Sequence, residues 1–251
     1  MAQPDPANPQ PAIHINGSVS LYGMPLLDAF ELHIKAGQWT ALLGPSGAGK
    51  STLLRLLAGL KTEADFTGSI DYAATGELAG QVSYMAQDDL LLPWTDVVQN
   101  VGLGDRLRGQ DGDRQKAEAI IAATGLSEHA HKRPHALSGG QRQRVALART
   151  LMEDKPVILL DEPFSALDAR TRAEMQELAA EHLHGQTVLL VTHDPGEAAR
   201  LCQSIYLLKG RSIVPVTALS PPFPKALDDQ HMFSLQTQLM QNIRQDEGAG
   251  A

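Results

Sequence analysis

The sequence predicts an α/β fold in which a parallel sheet is packed between helices. Two continuous apolar runs, over 157–160 and 187–191, are separated by a helical stretch over 169–183. Uninterrupted apolar runs that alternate with helices are typical of parallel strands buried on both faces. A third apolar run, over 39–43, leads directly into a glycine-rich loop. These observations place a strand–loop–helix unit at the centre of the predicted sheet.

The elements around the glycine-rich loop follow from local patterns. Partial alternation of apolar residues over 13–21, followed by a turn signal at 23–25, predicts N-terminal antiparallel strands. A wide leucine stripe over 52–60 predicts a helix that ends near Gly59. The region 88–155 is rich in helix formers and interrupted by glycines, which predicts a helical subdomain inserted into the core.

These elements give a single predicted domain over 13–215. We expect a disordered tail over 1–12, where Pro, Gln and Asn dominate, and a short C-terminal extension over 216–251. A chain of 251 residues can bury one sizeable core, with at most a small additional lobe.

Bulk properties limit the classes of partner. The chain has 21 basic and 29 acidic residues, for a net charge of −8, which argues against a nucleic-acid-binding protein. Cys202 is the only cysteine, so an intrachain disulfide cannot form. No apolar stretch approaches the roughly eighteen residues that a membrane-spanning helix needs. Any role at a membrane is therefore expected to go through partner subunits.

The glycine-rich loop matches the pattern GxxxxGK[ST]. The motif residues are Gly44, Pro45, Ser46, Gly47, Ala48, Gly49, Lys50, Ser51 and Thr52. In such a loop the backbone N–H groups and the following helix N-terminus bind phosphates, the lysine reaches the β- and γ-phosphates, and the hydroxyl of Ser51 ligates Mg²⁺. The alternative is a glycine-rich turn that binds nothing, which the flanking strand and helix disfavour.

Two acids follow the apolar run at 157–160. Asp161 and Glu162 are expected at the carboxyl end of a buried strand, which is where open α/β sheets bind ligands. Next to a phosphate-binding loop, Asp161 is predicted to hold Mg²⁺ and Glu162 to act as a general base or to orient water. The alternative is an ordinary solvated acid pair.

A second anion site is predicted at a segment that we call the signature segment, 138–141. Its residues are Ser138, Gly139, Gly140 and Gln141, and they directly precede a helical pattern. Ser138 is predicted to cap that helix, whose free N–H groups and dipole favour an anion. One chain has no use for a second phosphate site unless the phosphate is held by another molecule. The alternative is a simple helix cap.

With these motifs in order, the chain resembles the ATP-binding cassette (ABC) ATPases over about 13–210. The resemblance implies a P-loop NTPase (RecA-like) core, ATP and Mg²⁺ as ligands, and a head-to-tail homodimer. Each ATP then lies between the P-loop of one copy and the signature segment of the other. The resemblance also implies roles for four further residues. His193 is expected to contact the γ-phosphate and keep Glu162 aligned, and Gln87 to provide a link to Mg²⁺. Asp168 is expected to contact the partner across the dimer, and Tyr22 to stack on adenine.

The segment 87–94 resembles the corresponding sequence in ATPase subunits of bacterial importers of nitrate, sulfonates, taurine and hydroxymethylpyrimidine. Its part from Leu90 to Trp94 is called the apolar segment below; it is predicted to line a groove for a membrane subunit's helix, or else to pack inside the lobe. The likeness implies a motor subunit, peripheral on the cytoplasmic face of the inner membrane. Its implied partners are integral membrane permease subunits and, indirectly, a periplasmic or extracellular solute-binding protein.

Among solutes, a pyrimidine or thiamine precursor is expected ahead of a sulfonate or nitrate. The alternative function is a soluble ABC ATPase bound to a scaffold protein, as in iron–sulfur cluster assembly. Three histidines, His129, His131 and His135, lie in a polar stretch without cysteines or well-placed carboxylates. They are predicted to belong to a solvated loop rather than to a metal site.

Overall fold

The structure is a computed structural model that describes residues 11–72 and 78–249, without the side chains of Ala79 and 245–249. The predicted tail at 1–12 therefore lies outside the described residues except for its last two. The strands are β1 (Ile13–Leu21), β2 (Met24–Ile34), β3 (Trp39–Leu43), β4 (Ala64–Tyr72), β5 (Val82–Met85), β6 (Val157–Asp161), β7 (Thr187–Thr192), β8 (Ser204–Lys209) and β9 (Ser212–Val216). The α-helices are α1 (Lys50–Leu57), α2 (Val97–Val101), α3 (Leu103–Leu107), α4 (Arg114–Ala123), α5 (Gly139–Met152), α6 (Ala169–His182), α7 (Pro195–Leu201) and α8 (Gln230–Ala249).

The larger sheet has six strands in the order β5-β6-β7-β3-β8-β9. The first five are parallel, and β9 runs antiparallel to β8. Strands β3, β6 and β7 are buried at every position, as their continuous apolar runs predicted. Leu43 pairs with Thr192, and Asp161 with Val191, so these three strands end at the same edge of the sheet. The predicted α/β class with a parallel sheet is confirmed.

The smaller sheet contains the predicted N-terminal antiparallel strands, in the order β2-β1-β4. Its buried side chains, such as Ile15 and Leu32, belong to one hydrophobic cluster with Leu53 and Leu54 of α1. Helix α1 begins at Lys50, two residues earlier than the leucine stripe indicated, because the glycine loop passes directly into the helix.

Helices α2 to α5 occupy the part of the chain where the inserted subdomain is predicted. Their buried side chains, including Val101, Ile120 and Val145, pack together. The fully buried Asn100 donates hydrogen bonds to Thr95 Oγ1 (2.8 Å) and to the carbonyl of Leu92 (3.3 Å). These bonds fix the turn before α2.

The C-terminal region contains a 20-residue helix, α8, within the predicted extension. Met232, Leu235 and Leu239 are buried on this helix, which packs against α7. None of the described helices is long and apolar enough to cross a membrane.

Helix α7 carries a buried carboxyl group, that of Glu197. Its Oε2 accepts a hydrogen bond of 2.6 Å from the hydroxyl of Thr192, at the end of β7. Burial raises the pKa of Glu197 from 4.5 to about 7, because the charged form loses its hydration in the core. The folded chain therefore holds this proton more tightly than the unfolded chain. The resulting contribution to the free energy of unfolding is fully present below about pH 4.5 and is lost as the pH rises to about 7.

We predict that Glu197→Gln removes this pH dependence. A shift of that size corresponds to about 3 kcal/mol in the free energy of unfolding. Wild type is therefore expected to lose up to about that much stability relative to the variant between about pH 5 and pH 7, as measured by urea unfolding. Glu181→Gln, at an exposed position of α6, is the control and should follow wild type. Parallel stability curves for wild type and Glu197→Gln would show that Glu197 does not titrate in this range.

Candidate functional site

The glycine loop closes around the side chain of its own lysine. Lys50 is almost fully buried, and its Nζ donates to the carbonyls of Gly44 (2.8 Å) and Pro45 (2.7 Å). Burial lowers the pKa of Lys50, although Glu162 and Asp161 oppose this shift. Gly49 has a φ of 95°, and a Cβ there would lie 2.9 Å from Leu26 Cγ, so this position requires glycine. The loop therefore presents a fixed cation and backbone N–H groups at the start of α1.

The hydroxyl of Ser51 meets the first acid at the end of β6. Ser51 Oγ donates to Asp161 Oδ1 over 3.0 Å, and the hydroxyl of Tyr84 donates to Asp161 Oδ2 over 3.4 Å. Burial raises the pKa of Asp161, partly offset by the hydrogen bond from Ser51. A hydroxyl and a carboxylate at this separation are hard oxygen ligands, the type that Mg²⁺ prefers. The donor set therefore fits the predicted metal.

The second acid, Glu162, contacts two polar side chains from separate elements. Its Oε2 lies 3.1 Å from His193 Nδ1 and accepts a 3.4 Å hydrogen bond from Gln87 Nε2. The backbone N–H of Glu162 donates to the carbonyl of Val191 in β7 (2.9 Å), and its φ of 48° turns the chain sharply after β6. The structure thus brings Glu162, His193 and Gln87 together, at the same sheet edge as Asp161.

Two residues of this region were missed in the sequence. Tyr84 contacts Asp161, as described above. Gln143 of α5 donates to the carbonyl of Glu162 (3.1 Å) and accepts from the N–H of Ala166 (3.0 Å), which holds the backbone after the second acid. One signal in the sequence could have identified Gln143: it is a polar residue on the buried face of a helix, four positions before Leu147.

The signature segment forms the predicted helix cap. Ser138 Oγ accepts from the N–H of Gln141 (3.3 Å), and Gln141 Oε1 accepts from the N–H of Ser138 (2.8 Å), which makes a reciprocal capping box. Gln141 Nε2 also lies 2.8 Å from His129 Nε2, so His129 is not simply solvated. In the described parts of the chain, no hydrogen bond or ion pair joins 138–141 to the glycine loop at 44–52.

Tyr22 and Asp168 lie apart from the cluster of Asp161, Glu162, Gln87 and His193. Tyr22 is 72% exposed at the turn between β1 and β2, with a φ of 51°. Asp168 caps α6 by accepting from the N–H of Thr171 (3.1 Å), and these hydrogen bonds hold the pKa of Asp168 below its ordinary value. Both residues are available on the surface of the single chain, as expected of groups that bind a ligand or a second copy.

The apolar segment is split between core and surface. Leu91 is buried, whereas Leu90 and Trp94 are 62% and 67% exposed. Arg149 of α5 donates to the carbonyls of Leu90 (2.9 Å) and Asp89 (2.8 Å). Leu91 thus packs inside the lobe, as one of the two alternatives predicted, whereas contact of Leu90 and Trp94 with a membrane subunit stays a prediction. The backbone of the segment is attached to the helix that follows the signature segment.

Comparison with known proteins agrees with this geometry. The family described as "ABC transporter" matches residues 27–165. An uncharacterized ABC transporter ATP-binding protein of Haemophilus influenzae is 43% identical over 90% of this chain and 95% of its own length. The aliphatic sulfonates import ATP-binding protein SsuB of Escherichia coli K12 is 44% identical over 88% of this chain and 86% of its own length.

A solved structure supports the same assignment. The dimeric post-hydrolysis structure of the ATP-binding cassette MJ0796, bound to ADP and Pi, superimposes with a TM-score of 0.72. It is 28% identical to this chain and is matched over 83% of this chain and 100% of its own length. The predicted P-loop NTPase fold is thereby confirmed. The chain belongs to the ABC transporter family, as an ATP-binding subunit with ATPase activity.

Proposed function

We propose that this subunit drives an importer by forming a head-to-tail homodimer that closes on ATP and opens after hydrolysis. One observation carries the proposal. A single chain brings the glycine loop together with the acids Asp161 and Glu162. Among the described residues, its capped signature segment makes no hydrogen bond or ion pair with that loop. A second copy would supply the missing anion site, and the similar ATP-binding cassette MJ0796 has been solved as a dimer bound to ADP and Pi.

The glycine loop and its surroundings would bind the nucleotide. Lys50 and the loop N–H groups would hold the β- and γ-phosphates, and Tyr22 would stack on adenine. Ser51 and Asp161 would hold Mg²⁺, with Gln87 beside them. When bound, the ion would neutralise negative charge on the phosphates. The N–H groups of Gly139 and Gly140, together with the hydroxyl of Ser138, would contact the γ-phosphate held by the partner copy.

Glu162 would prepare the water that attacks the γ-phosphate. Its carboxylate would accept a proton from the water or hold it in line. His193 Nδ1, 3.1 Å from Glu162 Oε2, would keep that carboxylate aligned and contact the γ-phosphate. Asp168, at the surface, would contact the partner copy across the dimer.

Membrane permease subunits would convert closure into transport. The exposed side chains of Leu90 and Trp94 would offer apolar contacts to a helix of such a subunit. The subunit would then lie peripherally on the cytoplasmic face of the membrane, and a solute-binding protein would deliver solute from the other side. We propose no nucleic-acid partner, in keeping with the net charge of −8.

The relatives guide the choice of solute. SsuB proteins of several strains, 44% identical to this chain, are named for import of aliphatic sulfonates. We therefore place a small organic anion of the sulfonate class ahead of the pyrimidine or thiamine precursor that was first expected. The same names favour an importer over an ATPase bound to a soluble scaffold.

We predict that Glu162→Gln still binds ATP, hydrolyses it at least about a hundredfold more slowly, and forms a stable ATP-bound dimer. Loss of the carboxylate removes proton acceptance but keeps the shape and the contact with Gln87. Steady-state hydrolysis and size-exclusion chromatography with ATP would measure both effects. Glu181→Gln should leave both unchanged. A Glu162→Gln chain that stays monomeric and hydrolyses ATP at the normal rate would rule out the role given to this residue.

We predict that Ser138→Arg abolishes turnover while ATP affinity of the isolated subunit stays within about twofold. The arginine would block the anion site that a partner's γ-phosphate needs, but it lies away from the chain's own loop. Fluorescent-nucleotide titration and a hydrolysis assay separate the two quantities. Ser234→Arg, on the exposed face of α8, controls for the added charge. A large loss of affinity in the monomer would contradict binding of ATP between two copies.

We predict that Leu90→Ser reduces recovery of a multispanning membrane protein with this subunit. Tagged Glu162→Gln would be captured with ATP from detergent-solubilised native membranes, with and without the added Leu90→Ser change. Leu107→Ser is the matched control, since Leu107 is 78% exposed on α3 of the same lobe. Equal recovery with Leu90→Ser and Leu107→Ser would show that the apolar segment is not part of the interface with the membrane protein. Recovery of soluble partners alone would favour the scaffold-bound ATPase.

A further inference from the structure

Three side chains with metal-binding groups meet on the smaller sheet. His14 of β1 and His33 of β2 are directly opposite each other in the antiparallel register. Glu31 precedes His33 by two residues and therefore lies on the same face of β2. The Nε2 atoms of His14 and His33 are 2.9 Å and 3.0 Å from the same oxygen, Glu31 Oε1. Two imidazoles and one carboxylate thus converge on one point.

The geometry of these groups is close to that of a metal site. The two imidazole rings are stacked, with centroids 3.9 Å apart and planes inclined by 15°. One nitrogen from each histidine and one oxygen of Glu31 all lie within 4.8 Å of one another. In a tetrahedral zinc site with bonds of about 2.0–2.1 Å, ligand atoms are about 3.3 Å apart. To bind one ion, the two stacked rings would have to turn until their nitrogen lone pairs converge, which their exposed positions on adjacent strands allow.

The surroundings also suit a metal. Asp71 Oδ2, from the third strand of the sheet, lies 4.0 Å from His14 Nδ1 and can orient that ring, as carboxylates commonly do for metal-bound histidines. His14, His33 and Asp71 border an open cleft of about 750 Å³, and all three proposed ligands are exposed to solvent, so water can reach them.

This cluster is separate from the ATP-binding motifs. Tyr22 lies beyond the opposite end of β1, eight residues from His14, which is about 26 Å along an extended strand. All three ligands are on the surface, with side-chain exposures of 35% to 58%. A metal here would join β1 to β2 rather than take part in hydrolysis.

We propose that His14, Glu31 and His33 form a site for one divalent transition-metal ion of the zinc type, completed by water. Two imidazole nitrogens and a carboxylate oxygen are typical ligands of Zn²⁺, whereas Mg²⁺ and Ca²⁺ prefer oxygen ligands alone. Because the ion would bind both strands only when they are paired, it would stabilise the folded chain.

Isothermal titration calorimetry with ZnCl₂ tests the proposal on the full chain. The titration is run without nucleotide and with excess Mg²⁺ to occupy the Ser51–Asp161 pair. Wild type is expected to bind one Zn²⁺ per chain with micromolar affinity. His14→Gln and His33→Gln should each weaken this binding at least about tenfold. His131→Gln is the matched control, because that ring faces a single carboxylate, Asp96 at 3.5 Å.

Thermal unfolding gives a second readout that does not depend on hydrolysis. Zn²⁺ should raise the melting temperature of wild type and of His131→Gln, and leave that of His33→Gln unchanged. Absence of Zn²⁺ binding to wild type, or equal affinity in His14→Gln, His33→Gln and wild type, would overturn the proposal. Unfolding curves without metal show whether each variant is folded.

Discussion

The parallel alignment of β3, β6 and β7 is the constraint on which the rest of the site depends. Because the strands are adjacent and point the same way, the segments that follow them emerge at one edge of the sheet. The glycine loop follows β3, the acid pair ends β6, and His193 follows β7. Every residue in these strands is buried, so a slip in register would displace the polar residues at their carboxyl ends, such as Asp161 and Thr192, from this edge. The contact between Ser51 and Asp161, residues 110 positions apart, is a direct result of this arrangement.

Helix α5 connects the parts of the lobe to the core. Ser138 caps the N-terminus of this helix. Gln143, about one turn later, donates a hydrogen bond to the backbone carbonyl of Glu162. On the same helix, Arg142 forms an ion pair with Asp89 (2.8 Å), and Arg149 donates to the carbonyls of Asp89 and Leu90. The anion site, the catalytic candidate and the apolar segment are therefore attached to one rigid element. In the proposed dimer, closure at the signature segment would shift all three together, which gives a physical route from ATP to the proposed membrane partner.

Features that depend on local pattern were predictable, whereas those that depend on distant contacts were not. The buried strands, the glycine loop and the Ser138 cap each have a short sequence pattern with a physical cause. The role of Gln143 was not visible, because its partner, the carbonyl of Glu162, is a backbone atom 19 residues away. The pairing of His14 with His33 depends on the register of two antiparallel strands, which no local motif specifies. Helix α8 was missed because its buried residues are spaced among many polar ones.

Arg149 binds main-chain oxygens of the apolar segment, and every amino acid supplies such an oxygen. The side chain at position 90 can therefore change in the course of evolution without loss of the attachment to α5. Its φ of 46° restricts the choice, since β-branched residues are disfavoured there while Asn and Gly are tolerated. Substitutions at a few exposed positions of this segment could in this way change what it contacts and leave the ATPase site unchanged.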